Sequence, residues 1–200
     1  MTEPAGRAAC GVCLRPQSAC ICQWIRPVAH EAGVLILQHP LEAGHAKNTG
    51  RLLQLSLPRS RMLMGETFEE AGLRAALAET PAYTVLLYPP TPQDDDTPAL
   101  DLERLKDPPR VRLVVLDATW RKSRKMLHLN PLLRRLPRLS LEDVPASAYL
   151  IRKAHKPGQL STLEAACAAL VQLEGDAGRY RPLLQAFNGF VAQQQAFVPK

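Results

Sequence analysis

The run Arg112-Leu113-Val114-Val115-Leu116, leading straight into Asp117-Ala118-Thr119-Trp120, decides how the chain reads. A short apolar stretch with paired β-branched residues has the length and character of a buried strand. Behind it, Trp120–Leu127 carries its basic residues at helical spacing and predicts a helix that breaks near Asn130-Pro131. Outward from this point the alternation continues. Gly33–Gln38 and Thr84–Tyr88 are strand-length apolar runs that meet His39-Pro40 and Pro89-Pro90, and Arg61–Met64 is a further candidate. Helices are expected at Asn48–Leu57, Phe68–Glu79, Thr162–Leu173 and Tyr180–Gln195. Arg138–Leu141 and Ala148–Ile151 are weaker strand candidates. Strands alternating with helices imply an α/β fold, a mostly parallel sheet flanked by helices. In such sheets the ligand crevice lies beyond the carboxyl ends of the strands. Three of those ends are chemically loaded: His39-Pro40-Leu41-Glu42, Tyr88-Pro89-Pro90 and Asp117-Ala118-Thr119-Trp120.

A chain of 200 residues, 46% hydrophobic and 22% charged, suits one soluble domain with a small appendix and a core that needs no disulfides. No apolar run approaches the ~20 residues that span a bilayer. Met1–Gly11 has no apolar signal core, so the expectation is a cytoplasmic protein without a membrane partner. Pro89–Pro109, with six prolines and Asp94-Asp95-Asp96, reads as an exposed loop. The net charge of +6 is unevenly spread. Arg110–Lys156 holds twelve lysines and arginines against three acids, while the rest of the chain holds 13 against 16. Arg121, Arg124, Lys125 and His128 fall on one face of the expected helix, with Lys122 beside them and Arg152, Lys153 and Lys156 further along. A one-signed face beside a strand-end crevice suits a phosphate backbone, although a charged helix face is by default a solvated one.

Four of the five cysteines crowd into thirteen residues, as Cys10-x2-Cys13-x6-Cys20-x-Cys22. Four thiolates so close can close a tetrahedral zinc site and order a segment too short for its own core. Free or redox-active thiols are the alternative; disulfides do not suit a reducing compartment. The organisation expected is a Cys-rich zinc-binding segment over residues 1–30 and the main α/β domain over 31–200. Cys167 reads as a small buried hydrophobe.

Asp117, at the end of the strongest strand, can serve as a general base or as a helix cap. Trp120 can stack on a flat ring or simply pack. Ser161-Thr162-Leu163-Glu164 fits a capping box ahead of an apolar helix. His39, Glu42, Lys47, Asn48 and Thr49 form a polar cluster between a strand and a helix. The sequence holds no G-x-G-x-x-G, no P-loop, no H-E-x-x-H and no G-x-S-x-G, so hydride transfer, NTP hydrolysis and metalloprotease chemistry are unsupported.

Taken in order, these motifs resemble those of the DTW-domain family. Asp117-Ala118-Thr119-Trp120 is similar to its D-x-T-W signature, with alanine where many members carry glycine. The cysteine cluster with Leu14-Arg15-Pro16, the His39–Glu42 step, Lys47-Asn48-Thr49-Gly50-Arg51, Leu87-Tyr88-Pro89, Tyr149–Lys153 and Leu160–Ala165 match its other segments. The resemblance covers roughly residues 10–175. It implies a SPOUT-like catalytic domain with a C-terminal trefoil knot. It also implies a tRNA-uridine aminocarboxypropyltransferase, which moves the 3-amino-3-carboxypropyl group of S-adenosylmethionine to N3 of a uridine and releases 5′-methylthioadenosine.

A sulfonium carbon is already activated for displacement, so such an enzyme must supply alignment and a base for the imide proton. On that reading Asp117 is the base. Leu87, Tyr88, Pro89, Leu116 and Trp120 wall the S-adenosylmethionine site. Thr119, Ser161, Thr162 and Glu164 offer it polar contacts. Arg121, Lys122, Arg124, Lys125, Arg152, Lys153 and Lys156 hold tRNA. Cys10, Cys13, Cys20 and Cys22 hold structural zinc. DNA is not an expected partner, and either a monomer or a homodimer is consistent. The competing readings are a SPOUT-like RNA methyltransferase and a zinc-stabilised RNA-binding module without catalysis.

Overall fold

In the computed structural model, residues 8–79, 83–91, 97–142 and 160–196 are described. Five strands, β1 (Gly33–Gln38), β2 (Ser60–Met64), β3 (Tyr83–Leu87), β4 (Val111–Asp117) and β5 (Arg138–Leu139), form one sheet in the order β2-β1-β4-β3-β5. Every pairing is parallel. This is the α/β architecture expected from the alternation. The expected strand at Ala148–Ile151 and the basic residues Arg152, Lys153 and Lys156 lie outside the described residues, as do Asp94–Asp96. Residues 143–159 lie outside them too, and the expected C-terminal knot is not seen among the described residues.

Strand alternation splits the apolar residues between two cores. Val34, Ile36, Val85, Leu113 and Val115 face one side, against α2 (Gly50–Ser56), α7 (Thr162–Glu174) and α8 (Ala177–Ala196). Leu35, Leu37, Leu86 and Val114 face the other, against α3 (Glu70–Ala78), α5 (Trp120–Leu129) and α6 (Pro131–Arg134). Both faces of β1 and β4 are therefore covered, which is why these strands read as continuous apolar runs. Two one-turn helices, α1 (Pro40–Ala43) and α4 (Leu102–Leu105), complete the set. The cysteine-rich stretch contributes Cys13, Ile21 and Val28 to the first core and ties itself to α8 through Trp24 and Gln193.

Element ends shift for identifiable reasons. Helix α2 begins at Gly50 rather than Asn48, because Asn48 turns its side chain to the end of the sheet instead. Helix α3 begins at Glu70, since Glu69 caps it by accepting from Ala71 and Gly72 while the Phe68 N–H donates to Asn130. Strand β5 stops at Leu139 because Gln172 of α7 engages Ser140 and Glu142. Helix α7 starts where the motif predicts: Ser161 accepts from the Glu164 N–H and Glu164 from the Ser161 N–H. It ends at Gly175, in the left-handed conformation that glycine tolerates. Helix α8 starts earlier than expected, with Asp176 accepting from the Arg179 N–H.

Candidate active site and cysteine cluster

Strand order places the switch point between β1 and β4. The chain leaves β1 toward β2 and leaves β4 toward β5, in opposite directions, which is the arrangement in which α/β sheets bind ligands at the carboxyl ends of the strands. The residues at that point are Gln38 and Asp117, which are register partners. Asp117 is the last residue of its strand and only 2% exposed. Its carboxylate accepts from three donors: Gln38 Nε2 at 2.8 Å and Asn48 Nδ2 at 2.7 Å on Oδ2, and Thr162 Oγ1 at 2.7 Å on Oδ1. Thus β1, the loop before α2, and the start of α7 converge on one carboxylate. Gly50 permits this approach, for a β-carbon there would stand 2.7 Å from Asp117 Cγ. Asp117 does not cap α5; Thr119 occupies that position.

Thr162 is the expected polar residue that reaches Asp117 directly. Ser161 and Glu164 are engaged in capping α7, while Thr49 accepts from the Leu163 N–H and fixes α2 against α7. At the start of α5, Trp120 is 51% exposed and meets Tyr88 edge-on, with ring centroids 5.4 Å apart. Tyr88 donates to Ser123, which itself donates to the Trp120 carbonyl. Leu87 and Leu116 are half-buried near this edge and Pro89 is exposed. The three loaded strand ends therefore lie side by side at the carboxyl edge of the sheet.

The basic helix divides into two kinds of residue. Lys122 pairs with the buried Glu42 at 2.8 Å, and Lys125 pairs with Glu66 at 2.8 Å. Glu66 also accepts from His39 Nε2, whose Nδ1 accepts from the Leu41 N–H. Lys125 first, then His39, holds the Glu66 carboxyl below the usual carboxylate range. Arg121, Arg124 and His128 are exposed. Two other arginines of the basic stretch point inward: Arg112 donates to the carbonyls of Ala76 and Glu79, and Arg138 to that of Leu133.

Cys10, Cys13, Cys20 and Cys22 present sulfurs that all lie within 4.8 Å of one another. The Cys10–Cys22 separation is 3.6 Å and Cys13–Cys20 is 3.8 Å. Four sulfurs set tetrahedrally at ~2.3 Å from zinc stand about 3.8 Å apart, so the cluster fits that ion. With four thiolates the coordination is closed, and the ion would supply a cross-link rather than a reaction centre. Backbone N–H groups of Cys13 and Val12, with the Cys22 and Cys20 thiols, pull Cys10 down to about 6. Burial, helped by the Cys10 sulfur, pushes Cys22 up to about 12. Burial likewise pushes Cys167 up to about 12, in keeping with an inert core thiol.

Gln38 and Gly50 are site residues that the sequence did not single out. Gln38 had a signal: it is the one polar residue closing an otherwise apolar buried strand. Gly50 was visible only as part of the Lys47–Arg51 segment, because its role is to leave room for a side chain 67 positions away.

The sequence profile described as DTW domain matches residues 7–195. The chain is 32% identical over 176 residues to the mouse tRNA-uridine aminocarboxypropyltransferase 2, covering 84% of this chain and 57% of that protein. It is 34% identical over 179 residues to the Drosophila melanogaster protein of the same name, covering 86% and 68%. The Arabidopsis thaliana tRNA-uridine aminocarboxypropyltransferase A is 27% identical over 225 residues, covering 96% and 83%. This chain therefore spans little more than half the length of the mouse relative. No solved structure matches. Among the described residues, no helix is long and apolar enough to cross a membrane.

Proposed function

The chain belongs to the DTW-domain family, and from that premise we propose that it transfers the 3-amino-3-carboxypropyl group of S-adenosylmethionine to N3 of a uridine in tRNA. The observation that carries the reading is the Asp117–Thr162 pair at the switch point, which joins the D-x-T-W segment to the Leu160–Ala165 segment. The reaction forms a bond from N3 to the sulfonium-bearing γ-carbon of the amino acid chain. The C–S bond breaks, its electron pair stays on sulfur, and 5′-methylthioadenosine leaves as a neutral thioether.

The proton on N3 needs an acceptor. Asp117 is that base, acting through Thr162. The Thr162 hydroxyl donates to Asp117 Oδ1, so its own lone pairs face outward for the imide N–H. As N3 attacks, Thr162 takes the imide proton and passes its own to Asp117. Oδ2 is filled by Gln38 and Asn48, which leaves Oδ1 to receive it. Trp120 with Tyr88, Leu87, Pro89 and Leu116 forms the wall for the S-adenosylmethionine adenosyl group, and Thr119 borders it. Arg121 and Arg124, exposed on α5, are cations that meet the tRNA backbone, and Arg152, Lys153 and Lys156, outside the described residues, are proposed to bind it too. Zinc on the four cysteines orders the segment over 1–30, and residues 31–200 form the catalytic unit. A SPOUT-like kinship and action on tRNA in the cytoplasm accompany this reading.

The test incubates the protein with unmodified tRNA and S-adenosylmethionine labelled in the carboxypropyl chain, then maps the nucleosides. Label on uridine with methylthioadenosine as co-product is expected. S-adenosylhomocysteine as co-product would assign methyl transfer instead. Asp117→Asn and Thr162→Val should each lower kcat by about 10²–10⁴-fold with S-adenosylmethionine binding retained. Turnover by Asp117→Asn at the wild-type rate would remove the base assignment.

A further inference from the structure

The cysteine cluster and the loop that holds the catalytic carboxylate are joined by two arginines, of which Arg15 makes the bidentate contact. Arg15 follows the Cys10–Cys13 turn, where the Cys10 N–H donates to the Arg15 carbonyl and the Leu14 N–H to the Cys10 carbonyl. Leu14 has a φ of 62°, so this turn holds a conformation that leucine adopts only under constraint. From the turn, the Arg15 guanidinium lies over the Phe190 ring, 5.3 Å from its centroid, and reaches into the loop after α1. One of its nitrogens donates to the Ala46 carbonyl at 2.6 Å and the other to the Asn48 carbonyl at 2.7 Å.

Asn48 is the joint. Its main chain is gripped by Arg15 while its side chain donates to Asp117 Oδ2. Its Oδ1 accepts from Gln38 Nε2 at 3.3 Å and from the Arg51 N–H at 3.4 Å. A second strap runs the opposite way, from the Arg51 guanidinium to the Val12 carbonyl between the first two cysteines, at 2.6 Å. Both straps attach to the turn that carries the first two cysteines, one at Arg15 and the other at the Val12 carbonyl. A bidentate guanidinium holds two carbonyls in fixed relation, which an ammonium cannot do.

We propose that Arg15 is a positioning residue for transfer, transmitting the geometry of the metal-holding turn to Asn48 and thereby to Asp117. Metal loading of the cysteines then governs the order of the catalytic loop as well as the stability of the N-terminal segment. The catalytic half of this inference rests on the function proposed above; the structural half does not.

The test compares wild type, Arg15→Gln and Arg15→Lys, each zinc-loaded and each after chelation. Zinc content, amide hydrogen exchange over residues 45–51 and kcat are measured together. Zinc-loaded Arg15→Gln should keep its metal and the protection of β1 and β4. It should exchange over 45–51 about tenfold faster or more, with a reduced kcat. Arg15→Lys should behave as Arg15→Gln, since it keeps the charge and loses the fork. Chelation should open the same amides in wild type and add little in Arg15→Gln. Wild-type exchange and kcat in zinc-loaded Arg15→Gln would overturn the proposal, as would a zinc-free wild type with a protected 45–51 loop. Absence of any transfer by wild type would sink the functional reading, while the exchange pattern would still decide the coupling on its own.

Discussion

Gly50→Ala is the sharpest probe of how the site is built, because two opposing effects predict opposite signs. Gly50 opens α2 with ordinary helical backbone, so alanine there should gain ~1 kcal/mol of helix propensity. Against this, its β-carbon would lie 2.7 Å from Asp117 Cγ and 3.3 Å from Oδ1, and closer still to Oδ2. The carboxylate terminates a strand that is paired on both sides, so it has little room to yield. Turning it away breaks the hydrogen bonds from Gln38 and Asn48 to Oδ2. Bonds to a charged group contribute about 1.5–3 kcal/mol each, so losing two outweighs the propensity gain and leaves a net loss of roughly 2–5 kcal/mol.

Urea unfolding of the zinc-loaded protein measures this directly. The decisive comparison is a double-mutant cycle with Asp117→Ala. In that background the obstacle is gone, and Gly50→Ala should be neutral or stabilising by up to ~1 kcal/mol. A Gly50→Ala single variant as stable as wild type, or equal effects in both backgrounds, would refute the account of Asp117 as the point on which three elements converge.

The remaining predictions concern pH and salt. Burial lowers the pKa of His30, which accepts from the Arg59 N–H and bonds the Ala32 carbonyl, below its ordinary 6.5. Its contribution is complete above about 6.5 and fades as pH falls below that value. Burial pushes the Glu174 carboxyl up, but bonds from Tyr180, Ala32, Glu31 and Arg179 outweigh it and hold the group below its ordinary 4.5, so a second loss sets in below about 4.5. His30→Asn should flatten the upper limb of a stability-versus-pH profile and Glu174→Gln the lower; an unchanged slope in either contradicts the assignment. Neutralising Arg121 and Arg124 together should weaken tRNA binding and reduce the slope of log K against log salt by about 1.4–1.8. An unaltered slope would place the tRNA on another face.

Much of this was legible in the chain. Apolar runs fixed the three central strands, since strands covered on both faces leave a continuous signal that needs no partner to interpret. The capping box at Ser161–Glu164 was legible because its two hydrogen bonds are local. Spacing marked the cysteines, and the structure brings their sulfurs within the reach of one ion. Asp117 and Thr162 were each visible as candidates, yet nothing in the sequence places them 2.7 Å apart. The basic stretch was read as a charge excess with Arg121, Arg124, Lys125 and His128 on one helix face, whereas folding turns Arg112 and Arg138 inward and engages Lys122 and Lys125 with acids. That outcome depends on where Glu42 and Glu66 arrive from other elements.

The sequence by itself determined the layer architecture, the strand ends that carry the polar residues, and the four-sulfur cluster. All are written in local periodicity and spacing, which a chain expresses whatever its neighbours are. Tertiary structure alone decided the order β2-β1-β4-β3-β5, and with it the meeting of Gln38, Asn48, Gly50 and Thr162 around Asp117. It also decided that Arg15 would grip the loop behind them. Strand order and long-range hydrogen bonds follow from which faces must be buried together, and no single segment holds that information.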